Sequence, residues 1–163
     1  MRERSAEGNM MAEGSPLFRS RPIEGFLGGP AAFGPVSSTG AEEWLDQAQD
    51  DLEVGQLLAR EGRFEHAAFL LQQAVEKALK AGLVDRGEDL VRTHDCFVLA
   101  ETLEAPQGIL DAADTVTPYY VRSRYPDATD LELTAEDVDP LVAAAEEVIT
   151  WTRKTLSNGS KRN

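Results

Sequence analysis

The chain has 163 residues, 42% of them hydrophobic and 28% charged, which fits one soluble globular domain with length left over for a tail. Sixteen Lys and Arg against 29 Asp and Glu leave a net charge of −13. That balance argues against generic DNA binding, which needs positive charge to displace phosphate counterions, although a local basic patch still suits a nucleotide or RNA.

Cys96 is the only cysteine, so an intrachain disulfide and a cysteine-rich zinc site are both excluded. The longest apolar runs, such as 67–71 and 96–100, are five residues, whereas a membrane-spanning helix needs about 20. No apolar stretch of signal-peptide length follows Arg2 and Arg4. The expectation is a cytoplasmic protein with no membrane segment.

Residues 1–40 are rich in glycine and proline, including Gly28, Gly29, Pro30, Gly34 and Pro35. Their charges cancel, with Arg2, Arg4, Arg19 and Arg21 against Glu3, Glu7, Glu13 and Glu24, so the excess of acid lies on 41–163. Such a composition buries too little apolar surface to offset its ordering entropy, and it predicts a flexible tail. Met10 and Met11 are alternative initiators. Phe18, Ile23, Phe26 and Leu27 give the tail some capacity to dock on a partner.

From residue 41 the pattern turns helical. Trp44, Leu45, Ala48, Leu52, Gly55, Leu58 and Ala59 form one stripe of a helix that Ser38 or Thr39 is placed to cap and Glu61-Gly62 to end. A second helix, about Arg63 to Leu83, carries Phe64, Ala67, Ala68, Leu71, Ala74, Val75, Ala78 and Leu79, with Phe69 and Leu70 widening the apolar arc. Breadth of that kind predicts a central helix or one at a subunit interface, and the short link makes the pair an antiparallel hairpin. Gly82, Gly87 and the charged run between them read as a loop. A third helix starts near Thr93 and is interrupted by Pro106; a short helix spans 107–116; residues 117–130 read as irregular. A last helix begins near Thr134, carries Val138, Leu141, Val142, Ala145, Val148, Ile149 and Leu156, and contains Pro140 in its early turns. Residues 158–163 are a polar tail. No segment alternates like a strand, so the expected fold is an all-α, up-and-down bundle of four main helices plus a short extra one over 41–157.

All three tyrosines lie in Tyr119–Tyr125, and Arg122 and Arg124 are the only basic residues between Arg92 and Arg153. Rings interleaved with guanidinium groups suit stacking on a base and pairing with a phosphate. The plainer alternative is a loop anchored on the bundle, its arginines paired with nearby carboxylates. His94, between Thr93 and Asp95, is placed to move a proton, or merely to pack at a helix start. Glu76 and Lys80 form an i,i+4 pair of about 0.3–0.5 kcal/mol if exposed. The adjacent Gln72 and Gln73 have amides suited to a helix–helix or subunit contact. The sequence has no phosphate loop, no His-x-x-x-His and no nucleophile elbow, and its two histidines cannot build a metal site without several carboxylates, so no metal is expected.

Taken together, these residues resemble a HEPN domain (higher eukaryotes and prokaryotes nucleotide-binding). The resemblance rests on Trp44-Leu45, Asp51-Leu52 and Leu57-Leu58 in the first helix, on 64–80 of the second, on Arg92-Thr93-His94-Asp95, and on Arg124-Tyr125-Pro126-Asp127. It implies a helical bundle that forms a homodimer, often acting with a small nucleotidyltransferase partner in a toxin–antitoxin type pair. Many members are metal-independent ribonucleases, with an Arg followed after four to six residues by a His near the start of the last long helix. Here that arrangement is missing from its usual place: Arg63–His66 and Arg92–His94 are too close, and no His follows Arg124. The expectation is therefore a nucleotide- or partner-binding module without a cofactor, its contacts drawn from Lys80, Tyr120, Arg122, Arg124, Tyr125 and Asp127. The alternative is a ribonuclease with a relocated site, using His94 as acid/base and Arg122 or Arg124 to stabilise charge on the phosphate.

Overall fold

Three long helices and three short ones make up the residues described by the computed structural model, which are 38–89, 92–122 and 132–160. In chain order they are α1 (Ser38–Arg60), α2 (Phe64–Asp85), α3 (Cys96–Thr102), α4 (Gln107–Val116), α5 (Tyr119–Arg122) and α6 (Ala135–Ser160). No strand occurs among the described residues, so the all-α bundle expected from the hydrophobic periodicity is what the chain adopts.

The first three helices stop in the same way. A residue with positive φ follows the last turn, and two backbone bonds close back on it: Gly62 N to Ala59 O and Arg63 N to Leu58 O after α1, then Gly87 N to Val84 O and Glu88 N to Leu83 O after α2. After α3 the bonds run from Glu104 N to Glu101 O and from Ala105 N to Ala100 O. These are Schellman closures, which satisfy carbonyls a helix end would otherwise leave unpaired. Glycine fills the positive-φ position twice; the third is Glu104, at φ 50°. Arg86 reinforces that third stop, donating from Nη2 to Leu103 O at 2.6 Å.

Helix α2 is the hub, packed against α1, α3, α4, α5 and α6. Leu71, Ala74, Val75, Ala78, Leu79 and Leu83 are all fully buried, and each such leucine contributes about 1.5–3 kcal/mol of hydrophobic stabilisation. The α1 stripe meets it through Leu45, Ala48 and Leu52, and α6 does so through Val138, Leu141, Ala145, Val148 and Ile149. Gly55 lets α1 approach closely: an added Cβ would lie 3.1 Å from Cγ and Cδ2 of Leu71.

Several local expectations need correction. Ser38 and Thr39 belong to α1 instead of preceding it. Gly82 lies inside α2, where a Cβ would press on Leu103 at 3.1 Å, so its small size serves packing and not a turn. The third helix begins at Cys96, because Asp95 and not Thr93 supplies the capping oxygen. At the start of α6, Thr134 N and Oγ1 both donate to Asp137 Oδ2, at 2.9 and 2.8 Å. The stretch read as irregular contains the single turn of α5. Pro140 sits within α6 without ending it.

Candidate functional site

The short connection between α2 and α3 is pinned by its own side chains. Asp95 Oδ1 accepts from Val98 N at 3.1 Å, and Thr93 Oγ1 accepts from Asp95 N at 3.1 Å. His94 is held between these two anchors with about half of its side chain exposed. Its Nδ1 lies 3.1 and 3.2 Å from the two carboxylate oxygens of Glu76 on α2. Its ring stacks on Tyr120 of α5, with centroids 4.3 Å apart and planes 11° from parallel.

Glu76 is buried, although it carries a charge. Lys80 Nζ donates to its Oε1 at 2.7 Å, and Gln72 Nε2 donates to its Oε2 at 3.1 Å. Gln72 is fully buried and also donates to His94 O at 3.3 Å; its own Oε1 accepts from Gln73 Nε2 at 2.7 Å. On the far side of the cluster, Lys80 Nζ lies 6.0 Å from the ring centroid of Trp44 on α1, within range of a cation–π attraction. Ring, ammonium, carboxylate, imidazole and phenol thus follow one another across α1, α2, the α2–α3 connection and α5.

The electrostatics are those of a buried anion kept charged. Burial pushes the Glu76 carboxyl up, but the hydrogen bonds from Lys80 and Gln72, the Lys80 charge and the contact with His94 outweigh it, leaving it below the usual carboxylate value of 4.5. For Cys96 the hydrogen bond from Gln72 and the charge of Lys80 are too weak to offset burial. Burial first, and then the negative charge of Glu76, push its thiol up to about 12.

The structure gathers three of the residues singled out in the sequence, Lys80, His94 and Tyr120, at this one cluster. Arg122 closes α5, two positions after Tyr120. Arg124, Tyr125 and Asp127 lie outside the described residues. Two readings change: the Glu76–Lys80 pair is not a solvated surface pair, since the two side chains are only 7% and 13% exposed, and Lys80 already has a carboxylate partner. Gln72 braces α2 against the His94 backbone, and Gln73 donates to Gln72 and to Glu76. Sequence reading missed Glu76, Gln72 and Trp44 as members of the site. The signal was there in part: Gln72, Glu76 and Leu79 follow the same spacing as the apolar stripe, which puts a carboxylate on a face that must be buried. It also missed one pair at the ribonuclease spacing, Arg60 and His66, with five residues between them. They straddle the α1–α2 turn, both exposed, with no hydrogen bond or ion pair to each other.

A separate groove of about 650 Å³ runs between α4 and α6, lined by Ile109, Ala143, Glu147, Trp151 and Lys154 among others. None of the candidate binding or catalytic residues named from the sequence lines it. Among the described residues no group of three or more His, Cys, Asp or Glu is arranged to hold a metal ion, and no helix is long and apolar enough to cross a membrane.

The family model described as HEPN domain matches residues 41–155. The chain belongs to the HEPN domain family. Solved structures agree. An archaeal HEPN homologue, ST0689, is 31% identical with a TM-score of 0.62, over 71% of this chain and 97% of its own. TT1696 from Thermus thermophilus is 28% identical with a TM-score of 0.65, over 70% of this chain and 96% of its own. A HEPN domain protein from Thermotoga maritima, tm0613, is 25% identical with a TM-score of 0.57, over 71% of this chain and 98% of its own. No curated protein matches significantly. The HEPN match begins within α1 and ends within α6, so it takes in the whole Glu76–His94–Tyr120 cluster.

Proposed function

We propose that this HEPN-domain protein is a homodimeric nucleotide-binding module that acts with a nucleotidyltransferase partner in a toxin–antitoxin type pair, without the usual ribonuclease motif. One observation carries the reading: the half-exposed His94 ring is stacked on Tyr120 and backed by the mutually neutralised Lys80–Glu76 pair, which gives an aromatic platform free of net negative charge. Such a platform takes the π-face of a base, and the arginines that follow it in the chain suit the charge of a phosphate. Arg122, Arg124, Tyr125 and Asp127 follow Tyr120 directly in the chain and extend the same chemistry. The test is a calorimetric titration of mononucleotides into the full chain and into Tyr120→Ala, together with light scattering and co-purification of the neighbouring gene product. Saturable binding weakened by the substitution supports the reading. A monomer that binds neither nucleotide nor partner rejects it, and leaves a plain structural adaptor.

A second reading, metal-independent RNA cleavage, is favoured by the orientation of His94. With Nδ1 against Glu76, the other ring nitrogen is left for proton transfer, the geometry of an oriented general acid/base. Cleavage of RNA in the presence of a chelator, lost in His94→Ala, would establish it. RNA left intact by the purified protein would exclude it.

A further inference from the structure

We infer that Glu76 fixes the neutral imidazole of His94 as its Nδ1–H tautomer, so that a bare Nε2 faces the ligand as an acceptor and takes the 2′-hydroxyl of a ribonucleotide. The ligand half rests on the nucleotide-binding reading; the tautomer half does not.

The argument begins with what a carboxylate can do. An ionised Glu has only acceptor oxygens, so any hydrogen bond it shares with an imidazole nitrogen requires the proton to sit on that nitrogen. Lys80 at 2.7 Å keeps Glu76 charged, and both of its oxygens lie within 3.2 Å of Nδ1. The proton of neutral His94 therefore belongs on Nδ1, the reverse of the form that histidine prefers in water. The ring has little freedom to escape this arrangement. Gln72 ties the same carboxylate to the backbone carbonyl of His94, and Tyr120 fixes the ring plane. Glu76 is thus a positioning residue, acting through the imidazole.

The consequence for recognition follows from donor and acceptor counting. No described residue bonds Nε2, and the side chain is 51% exposed. A lone pair there gains nothing from a phosphate oxygen, which is itself an acceptor. It is satisfied by a hydroxyl or an amine. Ribose hydroxyls are present whatever the base, and the 2′-hydroxyl is what separates ribo- from deoxyribonucleotides. Lys80 meanwhile cancels the charge of Glu76, so the carboxylate does not repel the phosphate of the same ligand.

Two measurements on the full chain test this. The first uses no ligand: long-range proton–nitrogen NMR of ¹⁵N-histidine-labelled protein, read on the high-pH plateau of the His94 titration. An Nδ1–H pattern is expected in the wild type, returning to Nε2–H in Glu76→Ala; an Nε2–H pattern in the wild type overturns the inference whether or not the variant folds. The second titrates AMP, UMP and dAMP. AMP and UMP should bind about tenfold more tightly than dAMP, because a missing hydroxyl leaves Nε2 unpaired, and His94→Ala should bring the three within about twofold. Equal affinities for AMP and dAMP with weaker binding of UMP would assign the donor to the adenine amine and overturn the ribose assignment, as would equal affinities for all three. If none of the three binds, the nucleotide-binding reading has failed and takes the ribose assignment with it; nucleotide binding without a ribose preference defeats only the present inference.

Discussion

Gln72 and His94 are joined across two elements: the fully buried side-chain amide on α2 donates to the main-chain carbonyl of the α2–α3 connection at 3.3 Å. The same amide donates to Glu76 at 3.1 Å, so one side chain sets the spacing between the carboxylate and the backbone that carries the imidazole. Replacing Gln72 by Ala should cost about 2–3 kcal/mol, since a cavity is left and a carbonyl and a carboxylate each lose a donor. Urea denaturation measures this; a loss under about 0.5 kcal/mol would show that the bracing is energetically idle.

Acid should find the protein's weak point at Glu76. Its folded pKa lies below the ordinary 4.5, so the stability it contributes is complete above that value and is lost as pH falls through the lower folded one. Denaturation midpoints of the wild type should therefore drop more between pH 5 and pH 3 than those of Glu76→Gln, which starts less stable but lacks this titration. Parallel acid profiles for the two proteins would contradict the assignment.

Cys96 should be inert. With its thiol pushed up from 9.0 to about 12, the thiolate at pH 8 is about a thousandfold scarcer than in the unfolded chain, and it is the thiolate that reacts. Iodoacetamide labelling followed by mass spectrometry should show folded protein modified at least about 10³ times more slowly than urea-unfolded protein. Comparable rates would mean that the thiol is reached through opening of α3.

Glu104 offers a stabilising substitution. It holds a positive φ of 50° at the end of α3, where the equivalent positions after α1 and α2 are Gly62 and Gly87. Relief of an L-residue in the left-handed region outweighs the added freedom of the unfolded chain, so Glu104→Gly should gain about 0.5–1 kcal/mol. A lower denaturation midpoint for the variant would show that the Glu side chain makes a compensating contact.

Much of the bundle could be read from the sequence because it depends on short-range rules. The stripe from Trp44 to Ala59, the stop at Gly62 and the bounds of the helix at 107–116 follow from periodicity and from residues that restrict the backbone. The site was only partly legible. Lys80, His94 and Tyr120 were recognisable as chemical types, but a Glu four residues before a Lys reads as a surface pair. Only the packing of α2 against its neighbours removes Glu76 from water and makes it a partner for His94. Gly82 misled in the same way: glycine next to charged residues signals a turn, yet the close approach of Leu103 keeps it helical. Tyr120 is paired with His94 through tertiary contact alone, which no local pattern encodes.

Since the glutamate, the imidazole and the phenol ring come from three separate segments, none of these segments can assemble them alone. The stacked pair exists only once the last of those segments has docked, so its ring-current signature would serve as an internal gauge of completed folding, silent in any partly ordered intermediate.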